Sequence, residues 1–261
     1  MTLSLLQAAL GAASGSLVGF SLGLVGGGGS ILAVPLLVYL VGFPGTHMAI
    51  GTSAVAVAAN AAIGLAGHAR RGNVRWPCAV VFSAAGIAGA FAGSALGRRV
   101  DGQALLAAFA ILMLGIAALM LRRREPVVEH HVRLDWTMAP WLIATGLGVG
   151  LLSGFFGIGG GFLIVPGLIF ATGMPMLHAV GTSLVAVTSF GTTTAVTYAA
   201  SGLVDWVLAG VFVAGGFVGS LLGTRAGHHI SRQRGALTKV FAGLIVLVAA
   251  YVLARSFKLF G

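Results

Sequence analysis

Two glycine-rich stretches at matching positions constrain the fold of this chain more than any other feature. The first is Gly26-Gly27-Gly28-Gly29-Ser30, and the second is Gly157-Ile158-Gly159-Gly160-Gly161, 131 residues later in a chain of 261. Each is followed by an apolar run that ends in a Val-Pro pair, Val34-Pro35 and Val165-Pro166. Glycine and proline both interrupt regular helices. The sequence therefore predicts two copies of one unit, each broken at the same place.

The composition places these units in a lipid bilayer. Hydrophobic residues make up 58% of the chain and charged residues only 8%, against about 25% charged residues in soluble domains. The net charge of +10 comes from basic residues in short loops between apolar runs. That distribution is typical of membrane topology signals and not of nucleic-acid binding. We therefore expect the lipid bilayer, and no nucleic acid, as a partner.

Ten apolar segments follow one another, five in each half of the chain. Eight of them have the length of a membrane span, which is about 17–25 residues. The other two have 12 residues each and follow the glycine-rich stretches. As helices they would reach about 18 Å across a hydrocarbon core of about 30 Å. The segments are Leu3–Val25, Ile31–Gly42, Met48–Gly67, Cys78–Gly97, Ala104–Leu121, Ala139–Phe156, Phe162–Gly173, Leu177–Ala200, Trp206–Gly227 and Leu237–Ala254.

The predicted fold is an all-α, polytopic integral membrane protein with helices broken at the glycine-rich motifs. Residues 1–121 form the first membrane repeat and residues 139–261 the second, with a polar, basic linker at 122–138. The repeat extends beyond the glycines, because Gly51-Thr52-Ser53 recurs as Gly181-Thr182-Ser183. Glycines spaced four apart, at 89, 93 and 97 and again at 219, 223 and 227, predict close packing between helices.

The relative direction of the two repeats depends on whether the short segments cross the membrane. If they cross, each half has five crossings, the second half is inverted, and the 15 Lys and Arg residues divide eleven to four between the two sides. If they re-enter, the halves are parallel and the division is nine to six. The positive-inside rule favours the more unequal division, and so it favours inverted repeats.

The glycine-rich breaks are candidate anion sites. A helix that starts inside the membrane presents unpaired backbone N–H groups and the positive end of its dipole. Such a terminus binds anions without a basic side chain, and glycine lets the ligand approach the backbone. A pair of short segments in corresponding positions is also the sequence signal of a transporter binding site. The alternative is that these glycines only permit a tight turn.

Hydroxyl and imidazole groups near the breaks extend the candidate site. The serines and threonines can donate to an oxyanion, or they can cap the next helix or bond to its preceding turn. His47 and His178 are candidates for proton coupling, since histidine titrates near neutral pH, or they are ordinary loop residues. Pro35 and Pro166 are expected to break the short helices. The candidate substrate-binding residues are Gly26, Gly28, Gly29, Ser30, Gly51, Thr52, Ser53, Gly157, Gly159, Gly160, Gly161, Gly181, Thr182 and Ser183.

The pattern argues against other classes of membrane protein. A membrane-embedded enzyme would need clustered His, Asp, Glu or Cys within the segments, and the sequence has no such cluster and only one cysteine, Cys78. We therefore expect no catalytic residue, no metal and no cofactor. No Asp, Glu, Lys or Arg lies in the middle of a segment, which argues against the carboxylate relays of cation transporters.

At these motifs the chain resembles the TauE/SafE family of sulfite exporters. The second half carries the pattern from Gly154 through Gly157–Gly161 to Val165-Pro166 and Gly181-Thr182-Ser183, and the first half differs by having Ser30 in place of a glycine. The resemblance implies a multi-pass protein of the cell membrane that moves small sulfur-containing anions, such as sulfite or organosulfonates, usually outward. The alternative is an anion channel or uniporter for other small oxyanions or carboxylates. The resemblance does not predict the oligomeric state.

Overall fold

The structure, a computed structural model, describes residues 5–43, 45–122, 138–156, 161–230 and 236–260, and its regular elements there are helices joined by short turns. The first half contains α1 (Leu5–Val25), a 3-10 helix (Gly26–Leu32), α2 (Ala33–Pro35), a π-helix (Leu36–Leu40), α3 (Thr46–Ala69), α4 (Trp76–Gly97) and α5 (Gly102–Arg122). The second half contains α6 (Ala139–Phe156), α7 (Gly161–Thr172), α8 (Met176–Ala199), α9 (Trp206–Ile230) and α10 (Ala236–Phe260).

The helix lengths confirm an all-α, polytopic membrane protein. Six helical stretches among the described residues are long and apolar enough to span a bilayer: α3, α4, α6, α8, α9 and the stretch that begins with α1. Large apolar side chains are exposed along their outer faces, as with Phe91 and Val218. A surface of that kind is stable against lipid tails and not against water.

The first glycine-rich stretch reverses the chain and then stays helical. Gly26 has a φ of +66°, a left-handed conformation that glycine adopts without strain. After it the chain folds back on α1, because Gly29 lies directly against the backbone of Leu22. The sequence predicted a helix broken at this stretch, followed by the apolar segment Ile31–Gly42. In the structure glycines 26–29 lie within the 3-10 helix, and α2 and the π-helix follow.

The second short segment is a single α-helix, α7, that begins at Gly161. Pro166 lies inside α7 and does not end it, so the prediction that Pro166 breaks this helix was wrong. Proline removes one backbone donor, and membrane helices tolerate that loss where neighbouring helices cover the site. Pro35 is the last residue of α2, where the α-helix changes to a π-helix and helical structure continues.

The two halves interlock through their glycine faces. α1 packs most extensively on α9, and α4 packs on α6. In each pair the glycine Cα atoms approach the partner's backbone so closely that a Cβ atom would overlap it. The pattern repeats at every turn, as expected for close contact between small residues. The glycines of α9 are Gly215, Gly219 and Gly223, against Ala12, Ser16 and Phe20, and those of α4 are Gly89, Gly93 and Gly97, against Leu147, Leu151 and Phe155.

These contacts also give the directions of the helices. α1 and α9 run in the same direction, since residue numbers rise together along their interface. α3 runs the same way, because Asn60, Gly64 and Gly67 meet Gly216, Ser220 and Thr224 of α9 in that order. α3 and α8, the third segments of the two halves, run in opposite directions. The pairs that show this are Gly51 with Tyr198, Ala58 with Gly191 and Gly64 with Leu184.

The short segment after α1 returns the chain from one end of the bundle to the other. α1 and α3 run in the same direction, and Gly23 near the end of α1 lies level with His68 near the end of α3, whose Nε2 is 3.0 Å from the Gly23 carbonyl oxygen. The chain between them must therefore descend the whole distance to Thr46. Its seven-residue 3-10 helix rises about 2.0 Å per residue instead of 1.5 Å, which provides part of the extra length.

Candidate substrate-binding region

The first glycine-rich stretch is buried against the start of α8. A Cβ atom at Gly26 would lie 2.6 Å from the Val180 carbonyl oxygen and 2.7 Å from Ser183 Oγ. The Gly27 amide donates a hydrogen bond of 3.0 Å to Ser183 Oγ, and the Ser183 hydroxyl donates to the Val180 carbonyl at 2.7 Å. We call the chain reversal at Gly26-Gly27 the hinge. Ser183, predicted from the repeat motif as a substrate-binding residue, contacts it directly.

One of the expected bare donors therefore has a partner within the protein. The sequence predicted that N–H groups at the break would be open to an anion, and the Gly27 N–H is bonded to Ser183 instead. Ser30 donates to the Gly27 carbonyl oxygen at 2.9 Å, and all of residues 26–32 are buried. An anion that uses the Gly27 amide would have to replace the Ser183 hydroxyl, or bind after the hinge moves.

The Gly-Thr pairs at 51–52 and 181–182 hold loops of the opposite half. Thr52 Oγ1 accepts the Asp205 amide at 2.9 Å, and Thr182 Oγ1 accepts the Arg75 amide at 3.0 Å. Gly51 packs against the carbonyl of Leu203 in the same loop as Asp205. The two contacts are equivalent in the repeat, since Arg75 and Asp205 are 130 residues apart. Both threonines are fully buried, and they hold the opposite half instead of capping their own helices, whose N-cap residues are Gly45 and Pro175.

The remaining predicted glycines and serine lie at both ends of the bundle, since Gly181 is near the start of α8 whereas Gly51 faces Tyr198 near the end of α8. Gly181 packs against the Asn73 carbonyl, and Ser53 donates to the Ile50 carbonyl of its own helix at 2.9 Å. Gly28 and Gly29 lie in the 3-10 helix. Gly157, Gly159 and Gly160 lie outside the described residues. Gly161 is the first residue of α7, and α7 packs against the 3-10 helix of the first half, so the two short segments meet inside the bundle.

The two predicted proton-coupling histidines have different surroundings. His178 lies between two groups of the α3–α4 turn: its Nδ1 is 3.4 Å from the Asn73 carbonyl oxygen and its Nε2 is 3.4 Å from the Arg75 guanidinium. A carbonyl can only accept and a guanidinium can only donate, so this geometry fits a neutral His178 protonated on Nδ1. His47 Nδ1 is buried without a hydrogen bond among the described residues.

A third histidine, His68, joins this network and was not predicted from the sequence. It is fully buried, its Nε2 donates to the Gly23 carbonyl, and its Nδ1 is 3.5 Å from Asn73 Nδ2. Asn73 thus connects His68, beside the first hinge, to His178 at the start of α8. The repeat places Tyr198 where His68 would recur, so a search for duplicated residues misses His68. A more useful sequence signal is a polar residue in one repeat whose equivalent residue in the other repeat is of a different type.

Comparisons with known proteins agree with this architecture. A family model described as "Sulfite exporter TauE/SafE" matches residues 11–252. A "Probable membrane transporter protein" of Xylella fastidiosa (strain Temecula1) is 50% identical over 261 residues, covering 98% of both chains. The "Probable membrane transporter protein YdhB" of Bacillus subtilis (strain 168) is 28% identical over 238 residues, covering 88% of this chain and 96% of its own. No solved structure gives a significant match.

Proposed function

The chain belongs to the sulfite exporter TauE/SafE family and is a multi-pass membrane transporter of the cell membrane; from that premise we propose that it exports small sulfur-containing anions such as sulfite or organosulfonates. The observation that carries the proposal is the hinge at Gly26, buried inside the bundle against Ser183. Backbone amides and hydroxyls in a dry interior bind oxyanions and disfavour cations.

The surroundings of the hinge support a substrate that carries negative charge. α1, α3, α8 and α9, which enclose the hinge and the bundle interior beside it, contain no acidic residue. Arg71 and Arg75 lie at the same end of the bundle, where Arg71 donates to the Thr224 carbonyl at 3.3 Å. Basic residues at this end of the bundle raise the local concentration of anions. The neutral amide and hydroxyl donors deeper in the bundle would bind the anion weakly enough to release it.

We also propose that the two halves are inverted repeats which move against each other around this region. The opposite directions of α3 and α8 support the proposal, as do the paired hydrogen bonds of Thr52 and Thr182 to loops at opposite ends of the bundle. Inverted repeats with discontinuous helices are a common basis of alternating access in secondary transporters.

The proposal is tested by uptake of radiolabelled sulfite into proteoliposomes, with and without an imposed pH gradient. A secondary transporter coupled to protons accumulates sulfite above its external concentration only when the gradient is present. Flux that stops at equal concentrations would favour the alternative, an anion channel or uniporter. Absence of flux for both sulfite and taurine, whether or not acetate is transported, would contradict the proposed substrate class.

A further inference from the structure

The interior of the bundle contains an asparagine without a hydrogen-bond partner among the described residues. Asn60 is fully buried, and neither its Nδ2 nor its Oδ1 is bonded. It is the fifteenth of the 24 residues of α3, and so lies near the middle of the span. Burying an unpaired amide is strongly unfavourable, and a polar side chain at this depth in a membrane usually has a function.

A second unpaired polar group lies one helical turn away. Asn60 packs directly on Gly216 of α9, whose missing side chain makes room for the amide. Ser220, four residues further along α9, is also fully buried with an unpaired hydroxyl, and it faces Gly64 of α3. Gly19 of α1 meets Gly216 from the other side. Three helices therefore converge where the amide and the hydroxyl lie.

At the positions that are equivalent in the repeat, the chain has apolar residues instead. At the repeat offset of 130, Asn60 corresponds to Phe190, Gly216 to Gly86, and Ser220 to Ala90. Phe190 packs on Gly86 as Asn60 packs on Gly216, and its ring stacks on Phe82 with centroids 6.1 Å apart. The architecture is thus compatible with an apolar pair at these positions, and packing does not explain the polar pair.

We propose that Asn60 and Ser220 form a hydrogen-bonding subsite for the transported anion. The Asn60 Nδ2–H and the Ser220 hydroxyl would donate to oxygens of a small oxyanion. Asn60 Oδ1 would accept from a hydroxyl of the same ligand or from a water that accompanies it. Asn60 precedes His68, the residue level with the Gly23 carbonyl, by two helical turns, or about 12 Å along α3. The subsite is therefore deeper in the bundle than the hinge. The inference rests on the proposed function.

The test measures anion binding to the full-length chain purified in detergent, as the shift of its unfolding temperature with increasing sulfite or methanesulfonate. Asn60→Leu keeps a similar side-chain volume and removes both polar atoms. Ser220→Ala installs the residue found at the equivalent position 90. The matched control is Ser83→Ala, which removes another buried, unpaired hydroxyl, on α4. We expect each test variant to raise the half-saturating anion concentration at least about tenfold, and the control to leave it unchanged.

The possible outcomes separate this inference from the proposed function. If the wild type and Asn60→Leu bind an anion equally well, the subsite is disproved while the proposed function stands. If neither anion shifts the wild type, both the proposed function and the subsite are contradicted. If Asn60→Leu does not fold, Ser220→Ala decides, and unchanged binding by that variant overturns the pairing.

Discussion

At the scale of single residues, the hydroxyls near the helix starts are already engaged within the protein. Thr52 and Thr182 accept backbone amides of loops from the opposite half, and Ser183 accepts the Gly27 amide at the hinge. Ser183 therefore joins the start of α8 to the segment that must move if the hinge opens. Its hydroxyl is the group most directly placed to exchange a protein hydrogen bond for one to an anion.

Replacing Ser183 with alanine should destabilise the protein. The substitution leaves the buried Gly27 N–H without an acceptor, which costs about 1–3 kcal/mol. The matched control is Ser189→Ala. The Ser189 hydroxyl donates to the Val185 carbonyl of its own helix at 2.9 Å, so its removal leaves no buried N–H group without an acceptor. The free energy of unfolding in mixed detergent micelles provides the comparison. Equal losses for both variants would contradict the role of Ser183 at the hinge.

Replacing Gly26 with alanine tests the reversal of the chain. Gly26 and Gly42 have nearly the same φ, +66° and +67°, so alanine at either position incurs a similar left-handed strain of about 1–2 kcal/mol. Only Gly26 faces a close neighbour, since nothing lies within 4 Å of a Cβ at Gly42. We expect Gly26→Ala to be less stable than Gly42→Ala by about 1–3 kcal/mol. Similar unfolding temperatures would show that the contact with α8 is loose.

At the scale of elements, the sequence predicted the helices and the glycine faces, and it made no prediction of which helices pair. Apolar length and the glycine repeat located five helical segments in each half, and the four-residue spacing of glycines identified close-packed faces. The partners of those faces could not be predicted, because a small-residue stripe matches any other stripe of the same spacing. The 3-10 and π-helical geometry after Gly26 was missed as well, since it depends on fitting the chain back against α1 and α8.

A bulky residue in the glycine stripe of α4 should separate α4 from α6. Gly93 lies against the Leu151 carbonyl and, at 2.8 Å from a built Cβ, the Phe155 amide nitrogen. Gly93→Leu therefore meets backbone that cannot rotate away, and we expect a loss of about 3 kcal/mol or more. Gly148→Leu on α6 is the control, because nothing lies within 4 Å of a Cβ there. Size-exclusion profiles that are monodisperse and identical for both variants would argue against this helix pairing.

At the scale of the whole molecule, the basic residues and the helix directions together predict which end of the bundle faces the cytoplasm. Arg70, Arg71 and Arg75 follow α3 at the end of the bundle where α9 finishes, and Arg98, which contacts Ser201, lies at the other end. Among the described residues the first end carries more positive charge, so the positive-inside rule predicts that it faces the cytoplasm.

Cysteine labelling from the two sides of the membrane distinguishes inverted from parallel repeats. Arg70 and Ala200 are equivalent in the repeat, 130 residues apart, and both are exposed. In a Cys78→Ser background, we expect an impermeant maleimide to reach Arg70→Cys only from the cytoplasmic side and Ala200→Cys only from the outside. Labelling of both from the same side would mean that the repeats are parallel.

Sulfite uptake by variants of the second glycine-rich stretch tests whether the glycine-rich breaks bind the anion. Gly159→Val and Gly160→Val each add a branched side chain where we propose that the anion approaches the backbone, while Gly148→Val adds the same side chain at an open position on α6. We expect the first two variants to insert into the membrane normally and lose sulfite transport, and the control to transport like the wild type. Wild-type flux through Gly159→Val and Gly160→Val would contradict the assignment of the glycine-rich breaks as the anion site.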